Sequence, residues 1–236
     1  MKVLYKYCLI IASVFLLFSC EKETEDISRI TYYVDFELNE GAVNFIQAGS
    51  SWTDPGVKAT EAGVDVTDKV DVSGTVNANK VGRYVITYSA VNKDGFTASA
   101  EREVYVVDVT QSAPIQNGAY IVSGSSYRHV NSSGAEVAYG KDFEISFTQV
   151  YSGVLYVSDL FGGWYAQRAG YGSAYNMTGY LLFYPDNTLT LLYSHNNGWG
   201  DGMDYADGTY DPATGVITLA ASYVGSYVFN QTITKK

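Results

Sequence analysis

Residues 179–193, Gly-Tyr-Leu-Leu-Phe-Tyr-Pro-Asp-Asn-Thr-Leu-Thr-Leu-Leu-Tyr, decide the fold class of this chain. Two runs rich in apolar and β-branched residues flank the turn-forming Pro185-Asp186-Asn187, a pattern that predicts a β-hairpin. Similar runs occur at residues 143–148, 216–219 and 227–233, with turn residues between them. Residues 117–236 hold about eight to ten such segments and show no helical period. We therefore predict an antiparallel β-barrel or a meander sandwich for this part of the chain.

The composition agrees with an all-β protein and argues against nucleic acid binding. The chain has 236 residues, of which 47% are apolar, 17% are charged and 22 are tyrosines. Tyrosine is enriched in strands. The formal net charge is −10, and such an acidic chain lacks the basic surface that binding to nucleic acid phosphates requires.

The first half of the chain has short strand-like segments as well. Residues 70–73, 84–90 and 100–109 alternate loosely between apolar and polar types, and glycine or asparagine turns separate them. Strands at this spacing predict a sandwich of about 7 strands, without the Cys…Trp…Cys pattern of antibody domains. We place this sandwich at residues 30–109, a polar linker at 110–116 and the C-terminal β domain at 117–236.

Four motifs in this half resemble a known family. Trp-Thr-Asp-Pro-Gly-Val at 52–57, Val-Ser-Gly-Thr-Val at 72–76, Lys-Val-Gly-Arg-Tyr-Val-Ile-Thr-Tyr at 80–88 and Asn-Lys-Asp-Gly at 92–95 occur in the order typical of the bacterial surface Ig-like domain. Asp54-Pro55-Gly56 is suited to a type II turn with a positive φ at the glycine. The resemblance implies an Ig-like β-sandwich that acts as a spacer or adhesive module.

The N-terminus has the features of a secretory signal. A basic start at residues 1–6 precedes an apolar run at 9–18 that is too short to span a bilayer. Ser19-Cys20 follows and resembles the lipobox of bacterial lipoproteins, which implies a signal peptide at residues 1–19 and lipidation of Cys20. Because Cys8 and Cys20 are the only cysteines, the mature chain would hold no disulfide and no cysteine-ligated zinc.

Residues 20–29 are predicted to form an acidic tether. The run from Glu21 to Asp26 resembles the signal that directs Bacteroidetes lipoproteins to the outer face of the outer membrane, although an acidic run can also be a solvated spacer. Together with the residues at 210–219 and 227–235, the whole chain resembles Bacteroidetes outer-membrane surface lipoproteins with a C-terminal all-β domain of unknown function. This resemblance implies a lipid anchor in the membrane, an exposed position on the cell exterior and a polysaccharide-utilisation context with outer-membrane transport proteins as partners.

Catalytic motifs are missing from the sequence. His129 and His195 have no His, Asp or Glu at the i+2 or i+4 positions that metal sites use, and no Gly-x-Ser-x-Gly motif is present. We therefore predict no enzyme activity, no cofactor and no catalytic residues.

Two glycine-rich segments carry the candidate ligand-binding residues. Aromatic side chains lie between glycines at 161–176 and 198–200, with polar neighbours that can bind hydroxyl groups. Any of these rings can instead belong to the barrel core. The candidate residues are Trp164, Tyr165, Arg168, Tyr171, Tyr175, Trp199 and Asp201.

The aspartates at 201, 204 and 207 are a weak candidate for a calcium site. Asp201, Asp204 and Asp207 lie in a loop rich in glycine and asparagine, but their spacing of three does not match an EF-hand. A solvated turn is the alternative.

These observations predict a non-catalytic cell-surface lipoprotein whose C-terminal domain binds a glycan or another extracellular ligand. The alternative is a structural or adhesion module whose tyrosines dock on an outer-membrane partner protein.

Overall fold

A computed structural model describes residues 30–236. The predicted signal peptide, Cys20 and the acidic tether up to residue 29 lie outside the described residues. The described part is built of seventeen β-strands, with short helical turns at Thr67–Lys69, Trp164–Arg168 and Ser173–Tyr175. Among residues 30–236, no helix has both the length and the apolar character needed to cross a membrane.

The first seven strands form the Ig-like sandwich that the sequence predicts. One sheet has the order β1-β3-β4 and the other β2-β7-β6-β5. Strand β2 runs parallel to β7, and the other pairs are antiparallel. The strands are β1 (Val34–Leu38), β2 (Val43–Gln47), β3 (Val57–Glu61), β4 (Val64–Asp65), β5 (Asp71–Ser73), β6 (Gly82–Val91) and β7 (Thr97–Val107).

A buried arginine explains the Asp-Pro-Gly motif of this sandwich. Arg102 is fully buried and donates hydrogen bonds to the Gly56 carbonyl at 2.7 Å and the Asn39 carbonyl at 2.6 Å. Its Nε donates to the Tyr88 hydroxyl at 3.0 Å, which in turn donates to Asp54 Oδ1 at 2.5 Å. Gly56 has the positive φ, +75°, that the motif predicts. The motif therefore supplies partners for a buried charge.

The second half is a closed barrel, which decides between the two folds that the sequence left open. Strands β8 and β11–β17 pair in antiparallel order, and β17 closes the ring on β8 through Ile233–Lys235. The β9–β10 hairpin extends the sheet from the first half of β17. The strands are β8 (Gly118–Val122), β9 (Tyr127–Val130), β10 (Ala135–Ala138), β11 (Phe143–Tyr151), β12 (Val154–Val157), β13 (Met177–Phe183), β14 (Thr188–Asn196), β15 (Tyr205–Tyr210), β16 (Ile217–Tyr223) and β17 (Tyr227–Lys235).

The barrel interior is filled by the apolar side chains of alternate strand positions. Phe147, Leu181, Leu219 and Phe229 are all nearly or fully inaccessible to solvent and belong to one core cluster. The hairpin at 179–193 supplies two of the paired strands, as predicted. The interior is therefore a packed core, and any ligand site must lie at an end or on the outer wall.

The Ig-like sandwich packs against the outer wall formed by β12, β13 and β14. Tyr105 of β7 is buried and its ring lies 5.2 Å from Phe45 and 4.9 Å from Tyr180. Val107 and Val109 pack in the same cluster. This contact fixes the barrel relative to the sandwich through apolar and aromatic side chains.

Candidate functional site

Three connections meet at one end of the barrel. They are residues 158–176 between β12 and β13, residues 197–204 between β14 and β15, and the turn 224–226 between β16 and β17. Because neighbouring strands are antiparallel, these connections leave the same rim of the sheet. Both glycine-rich segments that the sequence singles out therefore lie at this end.

A buried carboxylate organises the longest connection. Asp159 is 1% exposed and accepts backbone hydrogen bonds from Phe161 and Met177 at 3.0 Å and from Gly163 at 2.9 Å. Burial raises the pKa of Asp159 to about 6, although the three N–H donors act in the opposite direction. The side chain ties the start of the connection to the first residue of β13.

The chain after Asp159 makes a wide helical turn. Gly163 has a φ of +85°, and a Cβ at this position would lie 2.7 Å from the Cβ of Phe143. The following π-helix, Trp164–Arg168, has hydrogen bonds from the Arg168 N–H to the Gly163 carbonyl and from the Ala169 N–H to the Trp164 carbonyl. π-Helical turns are rare and occur frequently at functional sites.

An aromatic platform lies over this end of the barrel. We use this name for Tyr165, Tyr171, Tyr175, Trp199 and Tyr223. Trp199 is central, because its ring lies 4.8 Å from Tyr165, 5.0 Å from Tyr175, 5.9 Å from Tyr223 and 6.2 Å from Tyr171. Its ring is 40% exposed, and Tyr171 is 55% exposed. Four of the predicted site residues are thus brought together with water-accessible ring surface.

The two glycine-rich connections are attached to each other. The Gly198 N–H donates to the Ala174 carbonyl at 2.8 Å, and a Cβ on Gly198 would lie 2.5 Å from the Tyr175 ring. Asn196 Oδ1 accepts from the Trp199 N–H at 2.9 Å. Glycine at 198 therefore permits the close approach that places Trp199 beside Tyr175.

Asp201 stands at one side of the platform. Its Oδ2 accepts a hydrogen bond from the Tyr223 hydroxyl at 2.7 Å, while its Oδ1 is buried and has no hydrogen-bond partner among residues 30–236. Burial first, and then the Asp201 carboxylate, raise the pKa of the Tyr223 hydroxyl. Asp201 thus holds one carboxylate oxygen on Tyr223, while the other is shielded from solvent and lacks a hydrogen-bond donor.

The calcium site considered from the sequence is not assembled. Asp204 Oδ2 accepts hydrogen bonds from Ser222 Oγ at 3.0 Å and the Gly225 N–H at 2.8 Å, and Asp207 lies within β15. Across the part of the chain that the structure describes, no group of three His, Cys, Asp or Glu side chains could hold a metal ion. The hydrogen bonds of Asp201 and Asp204 to β16 and its turn explain these acids without a cation.

Trp164 lies in the core, unlike the exposed ring that a ligand-binding role requires. It is 3% exposed, and the guanidinium carbons of Arg128 and Arg168 lie 4.6 and 4.2 Å from its ring centroid. Its ring also packs edge-on against Tyr139 at 5.0 Å. Trp164 therefore belongs to the barrel core and directly precedes Tyr165 of the platform, while Arg168 is exposed.

Sequence reasoning missed three residues of this end. Tyr223 ends a strand, Arg128 comes from the β9 hairpin, and Asp159 precedes the glycine-rich segment by two residues. For Asp159, an acid directly before an apolar Leu-Phe-Gly-Gly run was a usable signal. Tyr223 and Arg128 gave no local signal, because the pairing of β17 with β16 and β9 brings them to this end of the barrel.

Comparison with known proteins identifies both domains. The model of the bacterial surface protein, Ig-like domain matches residues 36–106, and a family model described as a C-terminal domain matches residues 108–235. The solved lipoprotein BT2262 from Bacteroides thetaiotaomicron is 37% identical to this chain, with a TM-score of 0.49, over 86% of this chain and 100% of that one. No curated protein matches the chain.

Two solved structures of ZmpB from Clostridium perfringens are also similar. One holds the M60 catalytic domain with the CBM51-1 and CBM51-2 domains, at 21% identity and a TM-score of 0.32, over 55% of this chain and 14% of that one. The other holds CBM51-2 in complex with GlcNAc and INT domains, at 22% identity and a TM-score of 0.28, over 52% of this chain and 29% of that one. At these scores the likeness carries no functional argument.

Proposed function

Because this chain belongs to a family of bacterial surface lipoproteins with an Ig-like domain and a C-terminal β domain, we propose that it is a non-catalytic glycan-binding protein. The sugar lies on the aromatic platform at the end of the barrel. The protein is held on the exterior of the outer membrane by a lipid on Cys20, in a polysaccharide-utilisation context with outer-membrane transport proteins.

The observation that carries this proposal is the exposed Trp199 ring, which packs against other aromatic rings of the platform. Packing of Tyr165, Tyr175 and Tyr223 against Trp199 orients the indole before a ligand arrives. Aromatic rings present an apolar face that stacks on the C–H face of a sugar, and a site that is already ordered loses little entropy on binding.

The polar group next to the platform completes a site suited to a sugar. Asp201 Oδ1 has no protein partner in the described chain, and its other oxygen is held by Tyr223. A ligand hydroxyl can donate to the Asp201 carboxylate beside the Tyr223 hydroxyl, since a carboxylate oxygen accepts more than one hydrogen bond. Stacking on Trp199 and one such hydrogen bond together define an orientation for the ring.

The geometry supports binding rather than hydrolysis. Glycosidases use two carboxyl groups across a cleft, one of them with a raised pKa. At this end, Asp201 and Asp204 are both engaged by the β16–β17 region, and Asp159 is buried beneath the connection. These positions favour a binding site over a paired-acid mechanism.

The experiment is a glycan array followed by titration calorimetry with the detergent-solubilised full protein. Trp199→Ala and Tyr171→Ala remove exposed rings of the platform, and each should weaken binding by about 1–3 kcal/mol, or roughly 5–150-fold. Tyr205→Ala is the matched control, because Tyr205 is 42% exposed on the same barrel but lies outside the platform.

Two outcomes would contradict the proposal. Equal weakening by the Tyr205 control would show that the platform is not the binding surface. If no glycan binds, but an outer-membrane protein binds the wild type and not the Trp199 variant, the platform is instead a docking surface for a partner protein.

A further inference from the structure

We infer that the ligand of the platform carries an anionic group, which Arg128 and Arg168 bind beside Tyr165. This inference rests on the proposed function, because it names the class of glycan that the platform takes: a sugar with a carboxylate or a sulfate substituent.

The pairing of the arginines differs between the two domains. In the Ig-like sandwich, Arg83 pairs with Glu103 at 2.5 Å and Arg102 lies 3.5 Å from Asp54. In the barrel, neither Arg128 nor Arg168 has a carboxylate within ion-pair distance among residues 30–236. In a chain with a net charge of −10, two arginines without an acidic partner at one end of a domain require an explanation.

Both guanidinium groups are held by the same indole ring. The Cζ atoms of Arg128 and Arg168 lie 4.6 and 4.2 Å from the centroid of Trp164, and Arg128 also lies 4.5 Å from the centroid of Tyr227. Arg168 Nε donates to the Tyr139 carbonyl at 3.2 Å. Stacking on aromatic rings restrains the side chains but leaves the charge unneutralised, so both groups are ordered donors for an anion.

The Arg128 side chain is half-buried. Its Nε is buried and has no hydrogen-bond partner in the described part of the chain. Burial raises the pKa of the Tyr165 hydroxyl, and a hydrogen bond from Arg128 acts in the opposite direction. Tyr165, whose ring lies 4.8 Å from Trp199, directly follows Trp164 in the π-helix, so the indole that holds both guanidinium groups adjoins the platform.

The charged groups around the platform differ in sign between its two sides. Asp201 lies on the side of Tyr223, and the indole that holds both arginines is next to Tyr165 in the π-helix. A sugar on Trp199 would direct a neutral hydroxyl to the carboxylate and an acidic substituent to the guanidinium groups. Arginine binds carboxylate and sulfate oxygens in a planar, bidentate geometry, so both substituents fit.

The alternative is that the two arginines only cover Trp164, as long cationic side chains often cover apolar surface. Replacement by glutamine and by lysine separates the two roles. Both replacements remove the planar stacking group, but only lysine keeps the charge. A purely structural role predicts equal effects of the two variants on binding.

The test uses matched acidic and neutral ligands. Oligogalacturonate is compared with its methyl ester to test carboxylates, and dextran sulfate is compared with dextran to test sulfates. We expect the detergent-solubilised wild-type protein to bind at least one acidic member about tenfold or more tightly than its neutral counterpart, with an affinity that falls as salt concentration rises.

Replacing each arginine then shows whether these two side chains cause the preference for acidic ligands. Arg128→Gln and Arg168→Gln should each reduce the acidic preference several-fold, while the corresponding lysine variants keep most of it. Lys235→Gln is the control, because Lys235 lies 4.8 Å from the Tyr120 ring at the opposite end of β17. Thermal melting of every variant shows whether a loss of binding is a loss of fold.

The possible results distinguish a failure of this inference from a failure of the proposed function. If neutral and acidic ligands bind equally and Trp199→Ala weakens both, glycan binding stands and the inference fails. If the glutamine variants keep the acidic preference, the inference also fails. If the wild-type protein binds none of the four ligands and no glycan on an array, both are overturned.

Discussion

Replacing Trp164 and Trp199 by alanine should have opposite effects on folding and on ligand binding, although both tryptophans follow a glycine in a glycine-rich connection. Trp164 is 3% exposed and packs against Tyr139 and Phe229. Trp199 is 40% exposed and forms the centre of the aromatic platform. The two variants thus remove the same side chain from a core position and from a surface position.

The expected losses of unfolding free energy follow from the burial of each tryptophan. Removal of a core tryptophan costs about 3–5 kcal/mol of unfolding free energy, because the lost transfer energy is increased by the cavity that remains. For Trp199 we expect about 1–2 kcal/mol, since a large part of the ring already faces water and surface neighbours can close over the gap. The predicted order for binding is the reverse: Trp199→Ala weakens it directly, while Trp164→Ala acts only through the positions of Arg128 and Arg168.

The measurement is urea unfolding followed by circular dichroism, because the loss of a tryptophan changes the fluorescence signal itself. The free energies are compared at constant m-value, which shows that the same surface is exposed in each variant. Trp164→Phe is the conservative control and should recover part of the loss. Equal destabilisation by the two alanine variants, or a larger cost at Trp199, would refute the separation into core and platform.

Three further predictions concern other parts of the molecule. Arg102→Met should cost about 3–5 kcal/mol of unfolding free energy, because it leaves the Asn39 and Gly56 carbonyls without their donor and removes the ion partner of Asp54; a loss below about 1 kcal/mol in urea unfolding would contradict this. Burial raises the pKa of Asp159 to about 6, so the folded protein holds a proton that the unfolded chain releases near pH 4. The free energy of unfolding should therefore fall as the pH rises from about 4 to about 6. Over this range the melting temperature of the wild type should fall relative to that of Asp159→Asn; parallel profiles of the two proteins would argue against this prediction. Cys20→Ala should abolish lipid labelling and release the protein from the membrane fraction, and persistence of the variant in the outer membrane would rule out the lipobox interpretation.

The strands were predictable because their signals are local. Alternation and turn residues mark the hairpin of β13 and β14 and the long strands β6 and β7, which the structure confirms within a few residues. The first strand begins at Val34, four residues after the start of the predicted sandwich at residue 30. The alternation near residue 30 is loose, and pairing with β3 sets the actual boundary.

The site was predictable only in part. Glycines next to aromatic residues marked the two connections whose rings cluster in the platform, since both features can be read from adjacent residues. Tyr223 and Arg128 lie far from these connections in the sequence and reach them through the pairing of β17 with β16 and β9. No local pattern shows that two strands will become neighbours.

By itself, the sequence determined the all-β class, the Ig-like half and the two glycine-rich segments whose aromatic rings meet at one end of the barrel. These properties depend on composition, on alternation with a period of two and on turn chemistry, all of which act between near neighbours. Tertiary structure alone decided that β17 closes a barrel on β8, that Arg102 is buried on the Asp-Pro-Gly turn, and that Trp164 is core while Trp199 is exposed. The physical reason is that burial and charge pairing are properties of residues brought together from distant positions, and two rings in similar local sequences acquire different roles only when the sheet closes around one of them.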